Sequence, residues 1–480
     1  MRVIHSALLH IALIATSALA VAAQVSPHKV EGNWLGTLDI GVAKLRLVLK
    51  IEKSANSYAA KFDSLDQGFA DLPIDSIVLD GNKLSFSAAK FGVNYDGTLN
   101  ETGDEISGTF KQAANSTPLV FKRVAEVPNA NRAQDPKKPY PYDEEEVSYR
   151  NEKDNVKIAG TLTAPRGGGP YPVVLLITGS GPQDRNETVA GHRPFLVLAD
   201  HLTRNGIAVL RVDDRGVGGT DPGSPSATSE NLAEDVLAGV RFLKQRKEID
   251  PKTIGLIGHS EGGMIAPMVA VRTKDVAFMV LLAGLGQRGE DFLYTQTRLI
   301  HKAQGTHIDT TRHTIALMER INAVVKTEND DKRIENKIKE EIDAYARTLT
   351  DLQRKLFEPA EANVKPYMPI YKTPWYRDFI TFDPLPVLKN VKVPVLALNG
   401  ELDLQVPWRE NLDLIAEGLK AGGNQDVTIK AFPKLNHGFQ TSKTGLLSEY
   451  SQLEETISPE VLKTVSDWIL RRTSHKNRSN

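Results

Sequence analysis

The sequence predicts an α/β protein, built on a mainly parallel sheet with flanking helices, carrying a helical cap insertion and preceded by an N-terminal all-β antiparallel domain. Three observations carry this. From residue 145 onward, short buried-type apolar strands alternate with helical patterns, as in a parallel sheet covered on both faces. Before residue 124, apolar and polar positions alternate with a period of two between turn signals. Between the strands ending at Ala283 and starting at Val393, the rhythm gives way to a long, charged, helix-patterned stretch, too long for a structureless loop.

The elements follow in order. Arg2 and the mostly apolar stretch Ala7–Ala23 read as an export signal over residues 1–23, cleaved before Val21 or Gln24. A periplasmic or secreted protein is expected, with no membrane span once the signal is removed. Residues 25–123 contain strands such as Lys44–Ile51, Tyr58–Phe62, Lys83–Phe86 and Glu105–Phe110, with Asp-Gly turns at Asp80 and Asp96; a meander of hairpins closing into a small sandwich or barrel is expected. Residues 124–144, rich in Pro, Asn and Lys, read as a linker. Residues 145–472 are expected to form the second, larger domain. It opens on a hairpin (Val147–Arg150, Val156–Thr163) and continues through strands at Val173–Thr178, Ala208–Asp213, Thr253–Gly258, Ala277–Ala283, Val393–Asn399 and Val427–Phe432. The cap is expected over residues 287–384.

Composition narrows the function. With 59 basic against 60 acidic side chains, a net charge of −1 offers no electrostatic footprint for nucleic acid. The 480 residues include no cysteine, which excludes disulfides, a thiolate nucleophile and Cys-based metal sites.

The strongest chemical signal is Gly258-His259-Ser260-Glu261-Gly262, between an apolar strand and a helix-compatible segment. A sharp strand-to-helix turn strains the serine and requires small residues two positions to either side, which Gly258 and Gly262 supply. Ser260 is therefore the candidate nucleophile, and it needs a base. Of the eleven histidines, His5, His10, His28 and His475 lie near the termini, and His301, His307 and His313 fall in the cap. His192 and His201 precede the serine, and His259 adjoins it on the turn. His437, in a loop after the last strand, is the candidate base. Asp403 is the candidate orienting acid, with Glu401 as runner-up in the same loop. The backbone N–H groups of Glu261 and of Ser180, in Thr178-Gly179-Ser180-Gly181-Pro182, are the expected oxyanion donors. Trp375, Tyr376 and Phe379 are candidates for a pocket wall. No cofactor and no metal are expected.

Two motifs read as structural. Gly284-Leu285-Gly286-Gln287-Arg288-Gly289 matches a dinucleotide fingerprint but follows a late strand and opens the cap. Asp213-Asp214-Arg215-Gly216-Val217-Gly218 reads as a rigid turn whose Asp and Arg side chains pair internally.

Taken together, Thr178–Arg185, Asp213–Gly218, Gly258–Gly263, Gly400–Asp403 and Asn436–Phe439 resemble the α/β-hydrolase superfamily. More narrowly, residues 145–472 are similar to bacterial two-domain carboxylesterases (EstD-like, also labelled serine aminopeptidase-like or dienelactone hydrolase-like). The resemblance implies the same triad of Ser260, Asp403 and His437. The usual His-Gly of the oxyanion loop is here Thr178-Gly179. A serine carboxylesterase acting on small-molecule esters of short to medium chain length is the expected function. One rival is an exopeptidase with the same triad, for which Glu340, Glu341 or Asp343 would hold a substrate ammonium. The other is a catalytically silent ligand-binding protein. Oligomeric state leaves no trace in the sequence.

Overall fold

The computed structural model describes residues 30–39, 44–54, 57–65, 69–112, 115–127 and 132–474. The expected export signal, residues 1–23, lies outside the described residues. The chain divides into two compact units, residues 1–62 with 71–127, and residues 63–70 with 128–480.

The N-terminal sheet runs through β1 (Gly32–Asp39), β2 (Lys44–Ser54), β3 (Ser57–Ser64), β4 (Phe69–Pro73), β5 (Ser76–Asp80), β6 (Lys83–Ala88), β7 (Val93–Leu99), β8 (Glu105–Gln112) and β9 (Asn115–Val124). These form one nine-stranded sheet in the order β4-β3-β2-β1-β9-β8-β7-β6-β5. It is a single curled sheet rather than a two-sheet sandwich. The period of two decides its inner face: Leu84, Phe86 and Ala88 on β6 and Val93, Tyr95 and Leu99 on β7 are all buried. Tyr95 lies at the centre, donating to the carbonyls of Ile106 and Leu119 at 3.1 and 3.0 Å. Its ring fits because Gly97 and Gly108 face each other across β7 and β8; a Cβ at either would come within 2.6–2.7 Å of it.

The second unit holds eight strands: β10 (Tyr142–Asn151), β11 (Val156–Pro165), β12 (Tyr171–Ile177), β13 (Ala208–Val212), β14 (Ile249–His259), β15 (Phe278–Leu282), β16 (Val395–Gly400) and β17 (Val427–Phe432). Their order is β10-β11-β13-β12-β14-β15-β16-β17. The β10–β11 and β11–β13 pairs are antiparallel, and every later pair is parallel. Central strands are apolar on both faces because each face meets helices. On β12, Val174 and Leu176 pack with Phe195, Leu198 and Leu202 of α1 (Pro194–Arg204). On the other face, Val173, Leu175 and Ile177 share a core with α2 (Ser229–Lys244) and α3 (Glu261–Ala270).

Between β15 and β16 the chain builds the cap: α4 (Gly289–Gln304), α5 (Ile308–Thr327), α6 (Asp331–Arg347), α7 (Asp351–Val364), α8 (Met368–Tyr371), α9 (Pro374–Thr381) and α10 (Pro384–Leu388). Its polar helix α6 buries Ile334, Ile338 and Ile342, a stripe at i, i+4, i+8. After β16 come α11 (Trp408–Ala421), α12 (Leu447–Tyr450) and α13 (Pro459–Thr473). Among the described residues, no helix is long and apolar enough to cross a membrane.

The described part of the linker is pinned rather than free. Arg132 donates to the carbonyls of Ala190, Gly191, Ser451 and Leu453. Gln134 donates to Ile457 O at 2.7 Å and accepts from Thr456 N–H.

Candidate active site

The turn from β14 into α3 places Ser260 at φ 53°, ψ −117°, a left-handed conformation that L-residues rarely adopt. Both flanking glycines are sterically required. A Cβ at Gly258 would sit 2.0 Å from Gly262 O, and one at Gly262 would sit 2.2 Å from Ile177 O. Ser260 N–H donates to Leu282 O at 2.9 Å, fixing the turn against β15.

Two further strand ends bring up Asp403 and His437. Asp403 follows β16. Its Oδ1 accepts from the N–H groups of Gln405 and Val406, each at 2.8 Å. Its Oδ2 lies 2.8 Å from His437 Nδ1, with the Asp403 side chain wholly buried. Two charge-assisted bonds hold one carboxylate oxygen, so the other stays aimed at the ring. Glu401, the runner-up acid, is exposed. The His437 loop is stiffened by Asn436, which donates to Gln440 Oε1 at 3.0 Å and accepts from Gln440 N–H at 2.9 Å. Ser260, His259 and His437 line one cavity.

Comparison with known proteins places this geometry among hydrolases. The family model described as serine aminopeptidase, S33, matches residues 193–367, a span that includes Ser260 and most of the cap. Esterase EstD of Thermotoga maritima is 24% identical over 381 residues, covering 78% of this chain and 79% of that protein. The chain has the α/β-hydrolase fold. Among solved structures, it is similar to an esterase of Pyrococcus furiosus, at 18% identity and a TM-score of 0.41 over 69% of this chain and 91% of that one. It is also similar to a proline iminopeptidase of Mycobacterium smegmatis, at 15% identity and a TM-score of 0.41 over 68% of this chain and 98% of that one.

In this hydrolase the cavity measures about 400 Å³ and is walled mainly by apolar side chains. Trp375, Tyr376 and Phe379, all on α9, are part of the wall. Trp375 and Phe379 stack with centroids 5.4 Å apart, and Phe292 meets Phe379 edge-on at 5.9 Å. Glu340 and Asp343 are exposed, and Glu341 pairs with Arg320 at 2.8 Å. None of these three acids lines the cavity.

Ser180 also lines the cavity, in the loop after β12. That loop is held from beneath: Thr178 Oγ1 donates to Asp214 at 2.8 Å, and Gln183 N–H donates to Asp214 Oδ2 at 2.9 Å. Burial, reinforced by the charges of Glu187 and Glu261, pushes the Asp214 carboxyl up to about 7. Gly179 N–H is already engaged, donating to Glu187 Oε1 at 2.8 Å. Glu261, the first residue of α3, buries its side chain, which accepts from Ser229 Oγ at 2.5 Å and from Trp375 Nε1 at 2.8 Å.

The structure also corrects the expectation for the Asp213–Gly218 turn. It does not pair with itself. Asp213 takes Arg185 in two-point contact, and Arg215 reaches Asp154 and Asp235. The turn therefore ties neighbouring segments together. The Gly284–Gly289 motif serves close packing instead of phosphate binding: a Cβ at Gly289 would sit 1.8 Å from Phe379 O, and the N–H groups of Gly286 and Gln287 are taken by Asn411 Oδ1.

Sequence reasoning passed over Glu187 and set His259 aside. The structure places both in the cavity lining. His259 Nδ1 lies 2.8 Å from Glu187 Oε1, and its Nε2 lies 3.1 Å from His437 O. Burial alone would push His259 down, but the Glu187 carboxylate and the His437 carbonyl hold it above the ordinary histidine range. The available signal was position: Glu187 lies in the loop after β12, at the carboxyl edge where such sheets assemble their sites.

Proposed function

We propose that this hydrolase cleaves short- to medium-chain carboxylic esters through an acyl-enzyme. Ser260 attacks the carbonyl carbon while His437 takes its proton. The tetrahedral oxyanion is held by the N–H groups of Glu261 and Ser180. Collapse expels the alcohol, which receives its proton from His437. Water then repeats the sequence on the acyl-serine, with Asp403 keeping the His437 ring in the tautomer that leaves Nε2 free to accept. The carrying observation is one cavity lined by both the strained Ser260 and a His437 ring held by Asp403.

Ester cleavage is favoured over the aminopeptidase alternative by charge. A substrate ammonium needs an uncommitted carboxylate, and the one carboxylate among the lining residues, Glu187, is already bound to His259 and Gly179 N–H. The apolar wall suits an acyl or aryl group. The relative named as an esterase agrees with this preference; the family described as an aminopeptidase is the reason to test it. Nitrophenyl acetate and butyrate are expected to turn over faster than prolyl or leucyl nitroanilide, and the reverse order would overturn the assignment. A fluorophosphonate should label wild type and spare Ser260→Ala. A folded wild type that resists labelling would leave the ligand-binding alternative.

The proposal includes export, supported by Arg2 and the apolar stretch Ala7–Ala23. N-terminal sequencing of mature protein from the producing cell should read from Val21 or Gln24. A mature chain retaining Met1 would exclude cleavage.

A further inference from the structure

The mechanism above leaves a second histidine–carboxylate pair unexplained beside the first. The His259 and His437 rings lie 4.6 Å apart, centroid to centroid, tilted by 41°. His437 leans on Asp403, and His259 leans on Glu187.

The partners of His259 decide its protonation. A neutral imidazole has one N–H donor and one bare nitrogen that must accept. Nδ1 of His259 faces a carboxylate oxygen, and Nε2 faces the main-chain carbonyl of His437. With Glu187 ionised, neither partner can donate to a bare nitrogen: the His437 carbonyl and the Glu187 carboxylate carry no proton, and Oε1 also accepts the N–H of Gly179. Both contacts are hydrogen bonds together only if both ring nitrogens carry protons.

We propose that His259 is held as an imidazolium by Glu187, and that the pair positions the reacting groups. Through Glu187 it grips Gly179 beside the expected oxyanion donor Ser180; through Nε2 it grips the backbone of the base. Three loops from three strands are thus fixed by one charged ring: the oxyanion loop after β12, the elbow after β14 and the base loop after β17. This role rests on the esterase mechanism above.

The charged and titratable groups around the ring are consistent with it. Glu187 faces it from the loop after β12, His437 from the loop after β17, and Asp403 acts from behind His437. Asp214 stands beyond Glu187. Phe439, 6.5 Å away, closes another side without charge. Glu187 and Asp403 each contact one of the two imidazoles, so one permanent imidazolium is electrostatically accommodated. Because Glu187 neutralises it at contact, His437 does not meet an uncompensated cation when it takes the serine proton.

The test uses wild type and Glu187→Gln, which keeps an acceptor for Gly179 and removes the negative charge. In ¹⁵N-histidine-labelled enzyme, assigned by difference against His259→Gln, both nitrogens of His259 should be protonated at about pH 7.5. In Glu187→Gln one should lose its proton at that pH. The kcat of Glu187→Gln relative to wild type should be within a fewfold near pH 6 and fall by about tenfold toward pH 8, with KM little changed. A singly protonated His259 in wild type overturns the proposal, as does a kcat ratio that does not vary with pH. Fluorophosphonate labelling of Ser260 is read separately, so failure of the esterase mechanism is distinguishable from failure of the imidazolium assignment.

Discussion

The indole N–H of Trp375 donates to Glu261 Oε1 across 2.8 Å, joining a cap helix to the residue after the strained serine. The other donor to that oxygen is Ser229 Oγ, from α2. A buried carboxylate that loses one of two donors bears an uncompensated desolvation cost of about 1–3 kcal/mol. Trp375→Phe keeps the ring that stacks on Phe379 and deletes only the donor. Thermal unfolding should therefore show a lower Tm, and ester kinetics should show a raised KM as α9 loosens over the cavity. An unchanged Tm would mean that the bond does not anchor the cap.

Asp403 offers a test of the proposed triad. In Asp403→Asn, the side-chain oxygen can still accept from Gln405 and Val406, so the fold should persist. The amide then presents N–H to His437, which favours the wrong tautomer. The expected result is a kcat about 10³–10⁴-fold lower with KM little changed. A drop below tenfold, with circular dichroism unchanged, would remove Asp403 from the mechanism.

Parts of this arrangement were legible in the sequence because they follow from short-range rules. The elbow needs small residues at 258 and 262, and the chain writes them as glycine. Strands such as Val427–Phe432 announce themselves by composition, and the interval after Ala283 was too long and too helical to be a loop. Glu187 and His259 were not legible in the same way. Their partnership joins residues 72 positions apart, and no local period encodes a contact between two loops. The Asp213–Gly218 turn misled for a related reason: two Asp beside one Arg suggest mutual pairing, yet a tight turn points successive side chains apart, so each found a partner on another segment. The linker composition likewise concealed Arg132, two of whose four carbonyl acceptors lie about 320 residues ahead.

Arg132 itself predicts a coupling between the linker and the cavity wall. Its guanidinium donates to four carbonyls, two of them in the 451–453 segment. The flanking α12 and the residues after the segment put Leu447, Tyr450 and Ile457 in the cavity lining. Arg132→Ala leaves these carbonyls without their donor and should cost roughly 2–3 kcal/mol. KM should rise more than kcat falls, and limited proteolysis should cut first within residues 443–456. Arg132→Lys, with a compact head in place of a planar fork, should recover only part of the loss. Proteolysis at wild-type rates in Arg132→Ala would refute the coupling.

Asp214 makes the stability of the catalytic unit depend on pH in a definite sense. Its carboxyl, ordinarily ionising near about 3.9, is pushed up to about 7 by burial and by the nearby charges of Glu187 and Glu261. Below about pH 4 the group is protonated whether the chain is folded or not, and contributes no pH dependence. As pH rises, the unfolded chain releases this proton first while the folded chain retains it. Unfolding is thereby favoured, and stability from this group falls until the folded form ionises near 7. Asp214→Asn abolishes this dependence; its one amide oxygen can accept from both Thr178 Oγ1 and Gln183 N–H, but the 2.8 Å contact of Thr178 with the second carboxyl oxygen is lost. The variant should start less stable than wild type at pH 4 and close the gap, or overtake, by pH 8. Urea unfolding of both proteins at each pH measures the difference directly, and contributions from groups other than Asp214 cancel in it. Parallel curves would mean that the Asp214 carboxyl ionises alike in the folded and unfolded chains.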